Sequence, residues 1–313
     1  MEIIWGLDNL KVQPSRTVVT IGVFDGVHLG HQAIMRTVCE TARRHKARSI
    51  AVTFDCLPEE TVSPQSAPPY ITTIRRKIDL IARQGLDSVL ILTADPKLLS
   101  MPAEEFVYEV LVEKLRVAEI VVGRSFVFGR GRAGNVELLR EMGSSLGFEV
   151  TVVPPVVVDG EIVSSTAIRR LISDGQVEKA SSYLGGSYVL DGRVVTGRGL
   201  GRQLGFPTAN VEPVARQIIP ANGVYAVEVS VKGTRACGVA NIGTRPTFDD
   251  GERSIEVYII GFSDDIYGEE IEVTFRNRLR GELRFPDADS LIEQIRRDVD
   301  QAGALLGCQS SGV

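Results

Sequence analysis

The chain of 313 residues exceeds the length at which a single hydrophobic core usually stops growing, so it is expected to form two domains. Its net charge of -5, with 43% hydrophobic and 24% charged residues, lacks the basic excess typical of nucleic-acid binders. The amino terminus has no signal-peptide pattern, and no apolar run approaches the roughly 20 residues that cross a bilayer. These features predict a cytoplasmic protein that binds neither nucleic acid nor membrane.

The four cysteines are spread along the chain, and none belongs to a CxxC pair. Disulfide frameworks and zinc sites usually bring several cysteines together at short spacings, whereas scattered thiols are typical of a reducing compartment. The sequence therefore predicts isolated, reduced thiols at Cys39, Cys56, Cys237 and Cys308.

The first half of the chain alternates strand-like and helix-like segments. Short β-branched runs predict buried strands at 17–23, 48–54, 87–93, 118–123 and 148–154. Helical patterns fill the segments between them, at 31–45, 73–84, 103–115 and 135–146. Strands separated by helices predict right-handed βαβ units and a parallel sheet, which binds ligands at the carboxyl ends of its strands.

The strongest local motif is GVFDGVHLGHQ at 22–32, directly after the first of these strands. It places His28 and His31 in a glycine-containing turn, and His31 opens a helix. Backbone N–H groups at a helix amino terminus favour anions, and two imidazoles there are able to donate hydrogen bonds to phosphate oxygens. The motif predicts a nucleotide phosphate site; the alternative is an exposed loop with incidental histidines.

A second polar motif, VSSTAIRR at 163–170, lies at the start of a helix expected over 165–185. Its three consecutive hydroxyls are also suited to helix capping, which is the alternative to a ligand-binding role. Paired with the histidine motif, these hydroxyls and an arginine one turn later predict a second clamp on a triphosphate. The residues concerned are Ser164, Ser165, Thr166 and Arg169.

Beyond Gly186 the sequence changes to strand-like pieces separated by Gly, Asn, Asp and Pro turns, as in an antiparallel barrel or sandwich. A final helix is expected from Asp289 to Leu306. The change of pattern places the domain boundary near 185–187, which gives an N-terminal domain at 1–185 and a C-terminal domain at 186–313.

The glycine-rich segment GRGLGRQLGFPTAN at 197–210 is the first motif of the second domain. Its glycines and arginines predict a cationic loop that folds over phosphates, while a plain hairpin loop is the alternative. We expect PTAN to form a rigid turn presenting Thr208 and Asn210, whose oxygen atoms suit Mg²⁺. The segment is not a Walker A motif, because no GK[ST] follows.

Glu256 lies in the strand-like segment RSIEVYII at 253–260. Strand alternation puts it on one face with Ser254 and Tyr258. From this pattern alone, the ordinary expectation is a glutamate that faces solvent.

The motifs of the first half resemble those of a known family. HxGH followed by SSTxIR resembles the HxGH nucleotidyltransferase superfamily. GVFDGVHLGHQ, VTFD-x-x-P, VVGRSFVFGRGRAG and VSSTAIRR, in this order, resemble the adenylyltransferase module of bacterial bifunctional riboflavin kinase/FAD synthetases. The resemblance implies an α/β Rossmann-like nucleotidyltransferase fold, Mg²⁺ with ATP, and attack of the FMN phosphate on the α-phosphate of ATP with release of pyrophosphate.

The same resemblance implies roles for individual residues. Ser164, Ser165, Thr166 and Arg169 would form a second phosphate-binding element, and a loop near nucleotide and flavin would contain Phe126, Phe128 and Gly129. The residues that bind the ATP phosphates would be Gly22, Phe24, Gly26, His28 and His31. Two positions depart from the family pattern: Leu57 replaces the histidine of F-x-P-H-P, and Ser125 stands where Asp or Asn is common. We therefore expect slow FAD synthesis beside an intact kinase.

The motifs of the second half, GFPTAN, GVYAVEV, GVANIGTRPTF and RSIEV, resemble riboflavin kinase. The resemblance implies a small Greek-key β-barrel with a C-terminal helix. Glu256 would be the catalytic base that takes the proton of the ribityl 5′-hydroxyl, and Thr208 and Asn210 would bind Mg-ATP. Further residues implied by the resemblance are Gly197, Gly199 and Gly205 for phosphate and Arg280 for flavin.

The sequence thus predicts an enzyme with ATP, riboflavin and FMN as its small-molecule partners and two successive reactions, riboflavin to FMN and FMN to FAD. Three alternatives remain: a kinase whose first domain lost its chemistry, a transferase that uses CTP or another acceptor, and a non-catalytic flavin sensor. The fused kinase motifs argue against the second. The intact Thr208, Asn210 and Glu256 argue against the third.

Overall fold

The computed structural model describes residues 1–10, 16–197, 200–244 and 253–308, without the side chains of Leu200 and Gln203. Its contacts divide into two compact units. The sheet unit comprises Met1–Pro68 and Ile74–Ser164, and the barrel unit comprises Pro69–Thr73 and Ser165–Val313. The packing boundary falls after Ser164, whereas the functional boundary at 185/186 stays a prediction.

The sheet unit is built on six parallel strands in the order β1-β4-β3-β2-β5-β6. The five predicted strands are present, and the short edge strand β1 was not predicted. A two-stranded hairpin of β7 and β8 follows. The strands are β1 (Glu2–Trp5), β2 (Thr17–Ile21), β3 (Arg48–Phe54), β4 (Ser88–Leu92), β5 (Val117–Gly123), β6 (Glu149–Val153), β7 (Val157–Val158) and β8 (Glu161–Ile162).

Helices cover both faces of this sheet. Val18 and Val19 of β2 belong to different hydrophobic clusters, because consecutive strand residues point to opposite faces. This arrangement confirms the predicted Rossmann-like α/β fold. The helices are α1 (Leu29–His45), α2 (Pro58–Val62), α3 (Ile74–Ala82), α4 (Pro96–Leu99), α5 (Ala103–Glu105), which continues as a π-helix at Phe106–Lys114, and α6 (Val136–Leu146).

The barrel unit contains a closed antiparallel barrel in the order β10-β13-β12-β11-β14-β9. The expectation that PTAN forms a rigid turn is wrong: Thr208 begins a strand that pairs with both β9 and β13. The barrel with its C-terminal helix otherwise agrees with the expected architecture. The strands are β9 (Tyr188–Val195), β10 (Thr208–Pro213), β11 (Gly223–Val231), β12 (Thr234–Thr244), β13 (Arg253–Ile259) and β14 (Glu270–Arg280).

The single helix expected over 165–185 is two helices in the structure. The chain breaks at Gly175, whose φ of +75° is unfavourable for other residues and ends the first helix. The C-terminal helix packs Val299 and Ala302 on β11 and β12. The helices of this unit are α7 (Ser165–Ser173), α8 (Val177–Leu184), α9 (Leu200–Gln203) and α10 (Ala288–Leu306).

Two of the four cysteines are paired. Cys237 of β12 and Cys308, just after α10, form a disulfide with their Cα atoms 6.4 Å apart. The prediction of four isolated thiols is wrong for this pair, because the helix that covers the barrel brings together cysteines 71 residues apart. Cys39 and Cys56 are free. None of the helices within the described ranges has the length and apolar character needed to cross a bilayer.

Candidate active sites

The turn between β2 and α1 is strained and buried. Phe24 and Val27 have positive φ values of 52° and 40°, which a β-branched valine rarely adopts. Gly26 between them has a φ of 84°. The ring of Phe24 lies against Gly22, where a Cβ would approach it to 2.8 Å. Such strain persists only where the surroundings hold it, and it is common at functional sites.

The two histidines stack on each other at the start of α1. Their ring centroids are 3.6 Å apart, and the ring of His31 meets the edge of Phe24. The N–H of His31 donates to Nδ1 of His28, which caps the helix. Because this Nδ1 is an acceptor, a neutral His28 ring carries its proton on Nε2.

His31 is held in its neutral form. Burial, the neighbouring His28 and the charge of Lys77 together keep the pKa of His31 well below its usual 6.5. Its Nδ1 atom is buried and has no hydrogen-bond partner among the described residues. The pair therefore offers imidazole groups at a helix amino terminus, next to the carboxyl end of a buried strand, where an anion is favoured.

Lys77 is a functional candidate that the sequence analysis missed. It lies on α3, is 5% exposed, and donates to the carbonyls of Val23 and Phe54 at the ends of β2 and β3. Burial lowers the pKa of Lys77 to about 8, although Asp25 and Asp55 oppose this. One lysine in an amphipathic helix looks like a surface residue, so no sequence signal marked it.

Leu57, the position of the family histidine, is buried at the start of α2. Its backbone N–H donates to Oε1 of Glu60 at 3.0 Å, and the N–H of Glu60 donates to its carbonyl at 2.8 Å. The leucine side chain has no polar atom, so it contributes no hydrogen bond to a ligand from this position.

The loop after β5 carries two stacked aromatic rings. The rings of Phe126 and Phe128 are 5.5 Å apart and nearly parallel, with an interplanar angle of 13°. Phe128 is anchored by backbone hydrogen bonds to Gly134, while Gly129 follows with a φ of 71°. Ser125 before them is exposed. Phe128 is buried in the core of the sheet unit and Phe126 is half-buried against it, so the role of this pair toward flavin stays a prediction.

The hydroxyl motif divides between the two compact units. Ser164 is the last residue of the sheet unit. The residue before it, Val163, lies close to α1, because its carbonyl oxygen would be 3.9 Å from a Cβ placed on Gly30. Ser165 starts α7 in the barrel unit, which confirms the predicted helix start. Thr166 is exposed, and Nε of Arg169 donates to the carbonyl of Pro69 at 2.7 Å.

In the barrel unit, the glycine-rich segment folds back on the start of β10. A Cβ on Gly197 would collide with the side-chain amide of Asn210, and one on Gly201 would lie 3.1 Å from Oγ1 of Thr208. Gly205, with a φ of 87°, allows the turn back into β10. Gly199 lies outside the described residues, as do the last four residues of the GVANIGTRPTF motif.

Thr208, Asn210 and Glu256 meet on one face of the barrel. Asn210 and Glu256 are direct partners across β10 and β13, and partners in an antiparallel pair share a face. The hydroxyl of Thr208 donates to Oε2 of Glu256 at 3.3 Å. Asn241 pairs with Glu256 from the other side and was not anticipated. Glu256 is thus a half-buried member of a polar cluster and not an isolated surface residue.

A cavity of about 330 Å³ opens beside Thr208. Arg202 and Pro207 form part of its wall. The segment 262–267, between β13 and β14, forms another part with Phe262, Asp264 and Tyr267. Sequence reasoning did not include this segment, because its mixed polar and aromatic residues match no motif.

Arg280, expected at a flavin, is engaged in an ion pair. Its guanidinium donates to the carboxylate of Asp298 on α10, with Nη2 at 2.7 Å from Oδ2. Gln294 donates to the same carboxylate, and the guanidinium lies 5.9 Å from the ring centre of Phe285. Arg280 therefore ties the end of β14 to α10, and its role toward flavin stays a prediction.

Comparison with known proteins assigns the two halves separately. A family model for FAD synthetase matches residues 10–167, and one for riboflavin kinase matches residues 184–306. The chain is 40% identical over 309 residues to the bifunctional riboflavin kinase/FMN adenylyltransferase of Escherichia coli (strain K12), with 98% of each chain covered. It is 39% identical to that of Pseudomonas fluorescens, covering 97% of this chain and 98% of the relative.

A solved structure shares the fold over nearly the whole chain. It is described as a macrolide-efflux protein from Streptococcus pneumoniae and has a TM-score of 0.87 at 31% sequence identity. The match covers 96% of this chain and 99% of that one.

Proposed function

The chain belongs to the family of bifunctional riboflavin kinase/FMN adenylyltransferases, and we propose that the barrel unit phosphorylates riboflavin while the histidine site of the sheet unit adenylylates FMN. The observation that supports this division is the agreement between the two family matches and the two polar clusters. The stacked histidines lie within the FAD synthetase match, and the Thr208–Glu256 hydrogen bond lies within the riboflavin kinase match. The comparisons do not favour the kinase-only alternative, because both family models match and the relatives compared are bifunctional.

In the kinase reaction, Glu256 acts as the general base. Its carboxylate takes the proton of the ribityl 5′-hydroxyl as that oxygen attacks the γ-phosphorus of ATP. The bond from the γ-phosphorus to the bridging oxygen breaks, and ADP leaves. Phosphoryl transfer depends mainly on positioning and charge neutralisation, so a small polar cluster is sufficient for this chemistry.

Thr208 and Asn210 would hold Mg²⁺ with the nucleotide. A hydroxyl and an amide oxygen are hard donors of the kind Mg²⁺ prefers. The fit is supported by Gly197, because a Cβ at this position would collide with the side-chain amide of Asn210. The ion supplies charge neutralisation to the phosphates when bound. The cavity beside Thr208 is the place we assign to the nucleotide, since it borders Thr208 and Arg202 adds a cation to a wall of mixed apolar and polar residues that also includes Asp264 and Asp265.

In the adenylyltransferase reaction, an oxygen of the FMN phosphate attacks the α-phosphorus of ATP. The bond between the α-phosphorus and the bridging oxygen breaks, and pyrophosphate leaves without a covalent enzyme intermediate. His28 and His31 would donate hydrogen bonds to phosphate oxygens as charge builds on them. Ser164, Ser165, Thr166 and Arg169 are proposed as further phosphate ligands, and Phe126 with Phe128 as flavin contacts.

The assignment is tested by supplying each flavin alone. Riboflavin with Mg-ATP should give FMN, and FMN with Mg-ATP should give FAD and one equivalent of pyrophosphate. Removing divalent ions with EDTA should stop both reactions, and adding Mg²⁺ should restore them. Formation of FMN without any FAD from added FMN would remove the adenylyltransferase assignment and leave the kinase assignment intact.

A further inference from the structure

Lys77 forms a clamp between two neighbouring strand ends of the sheet unit. Its Nζ donates to the carbonyl of Phe54 at 2.7 Å and to the carbonyl of Val23 at 3.2 Å. β2 and β3 are adjacent parallel strands, so these carbonyls lie together at the carboxyl-terminal end of the sheet, where ligands bind in such folds. A buried ammonium is unfavourable unless it is paired, so a lysine that is 5% exposed needs an explanation.

One of the two clamped residues leads directly into the strained turn. Val23 precedes Phe24, and the turn reaches Val27 before His28 caps α1. The positive φ values of Phe24 and Val27 persist only if their surroundings fix the chain on both sides. Gln32 holds the far side, because its side chain donates to the carbonyl of Val27 at 2.9 Å. Lys77 holds the near side.

The charged groups around Lys77 lie at the same carboxyl-terminal end of the sheet. Burial disfavours the charged form of Lys77, whereas Asp25 in the turn and Asp55 after β3 favour it. The result is a pKa of about 8 for Lys77. In turn, the Lys77 charge helps to keep the pKa of His31 low, so that this ring stays neutral. The lysine is thus coupled to the histidine pair electrostatically as well as through the backbone.

We propose that Lys77 is a positioning residue for adenylyl transfer: its ammonium ties the strained turn to the end of β3 and so keeps His28 and His31 aligned on the nucleotide phosphates. The inference rests on the proposed adenylyltransferase function of the sheet unit. Lys77 acts through the backbone and through the histidines, and it forms or breaks no bond itself.

Replacing Lys77 with Met removes the donors and the charge and keeps most of the length of the side chain. We expect Lys77→Met to lower kcat for FAD synthesis by about 10- to 100-fold, as expected for misplaced catalytic groups, with a smaller change in the KM for FMN. Riboflavin phosphorylation on the same chain should stay at the parental rate, which shows that the barrel unit is intact, and a cooperative unfolding transition followed by the fluorescence of Trp5 should show that the sheet unit is folded. Lys97→Met, at an exposed lysine of α4, is the matched control and should change neither rate.

Lys77→Arg separates positioning from mere filling of space. Arginine keeps the charge and the donors, so this variant should recover most of the lost rate. Its guanidinium also stays protonated at all accessible pH values. FAD synthesis by the parent should therefore decline above pH 8, as the ammonium deprotonates and its charge-assisted bonds weaken, and the Arg variant should hold its rate across that range.

The proposal is overturned if Lys77→Met makes FAD at the parental rate, or if the alkaline decline is the same in the parent and in Lys77→Arg. The second readout remains decisive even if the Met variant fails to fold. A parent that makes no FAD at all would refute the proposed function first, and the positioning role would fall with it.

Discussion

At the residue scale, Glu256 is the most direct test of the kinase site. Glu256→Gln keeps the shape of the side chain but removes the base, and loss of a general base typically lowers the rate by about 10²- to 10⁴-fold. We expect riboflavin phosphorylation to fall by that factor, while adenylylation of added FMN continues. Product formation from each flavin, separated by chromatography, measures both.

The matched control for this substitution is Glu212→Gln, at an exposed glutamate of β10 in the same barrel. It should leave both reactions unchanged. If Glu256→Gln makes FMN as fast as the parent, Glu256 is an ordinary strand residue and its hydrogen bond to Thr208 has no catalytic meaning.

Leu57 sets the expected rate of FAD synthesis. Leu57→His restores the imidazole of the family pattern, and one hydrogen bond to a charged phosphate is worth about 1.5–3 kcal/mol. FMN adenylylation should therefore rise by roughly 10- to 100-fold, with riboflavin phosphorylation unchanged. Initial rates of FAD formation from FMN give the comparison.

Because Leu57 is buried, the substitution also perturbs packing. Leu57→Met, which conserves volume, is the control for this effect and should leave the rate of FAD formation unchanged. Fast FAD synthesis by the parent would contradict the expectation, since another cation would then already supply the missing contact. Arg124 and Arg130, which are exposed in the loop after β5, would be the first candidates.

His31 makes the stability of the sheet unit depend on pH. Its pKa is well below 6.5 in the folded state, so below pH 6.5 the unfolded chain binds a proton that the folded chain does not. The free energy of unfolding should therefore fall as the pH drops through 6.5. His31→Asn removes this contribution and should flatten the dependence.

Denaturant unfolding at pH 7.5, 6.5 and 5.5 measures the effect, followed by the fluorescence of Trp5, the single tryptophan and part of the sheet unit. Equal pH dependence in the parent and in His31→Asn would show that the ring is protonated as readily in the folded state as in the unfolded state.

At the scale of elements, α7 and α8 pack as part of the barrel unit. Glu178 of α8 accepts the backbone N–H of Arg278 at 2.9 Å, and the carbonyl of Asp174, between the helices, accepts from the Arg278 guanidinium at 3.2 Å. Tyr183 and Ile172 are fully buried. These contacts join the two helices to β14 and its surroundings, although the sequence pattern assigned them to the first domain.

Two fragments test what this packing contributes. We expect residues 165–313 to be more stable than residues 187–313 by at least about 2 kcal/mol, because the shorter fragment exposes apolar surface that the helices cover. Both should phosphorylate riboflavin, since all the proposed kinase residues follow position 187. Thermal and urea unfolding compare them, and equal stability would mean that the helices contribute nothing to the barrel.

The sequence predicted the elements better than their ends and their partners. β-branched runs such as 48–54 and 87–93 predicted buried strands because periodicity is a local property. The sequence does not mark Gly175 as a break, since a helical pattern continues on both sides of it. The sequence predicts a turn at PTAN, because the pairing of this segment with β9 and β13 depends on distant residues.

The candidate sites show the same limit. The histidine motif and the Thr208–Asn210 pair are local patterns, so the sequence alone is sufficient to predict them. Lys77 and the segment 262–267 belong to the sites only through the fold, which brings them to strand ends far away in the chain. The Cys237–Cys308 disulfide was missed for the same reason.

At the scale of the whole molecule, one chain combines two kinds of phosphate chemistry. The kinase step transfers the γ-phosphoryl group of ATP to riboflavin, and the adenylyltransferase step transfers the α-phosphoryl group, as AMP, to FMN. Each of the two phosphates of FAD then comes from a different position of ATP. This follows from the two family matches and from the separate location of the two polar clusters.

Labelled ATP distinguishes the origins of the two phosphates in one reaction with riboflavin as the only flavin supplied. With ATP labelled at the γ-phosphate, we expect label in FMN first and then in FAD. With ATP labelled at the α-phosphate, we expect label in FAD and none in FMN. FMN labelled from the γ-position with no FAD formed from either label would contradict the assignment of two reactions, because the chain would then catalyse only the first.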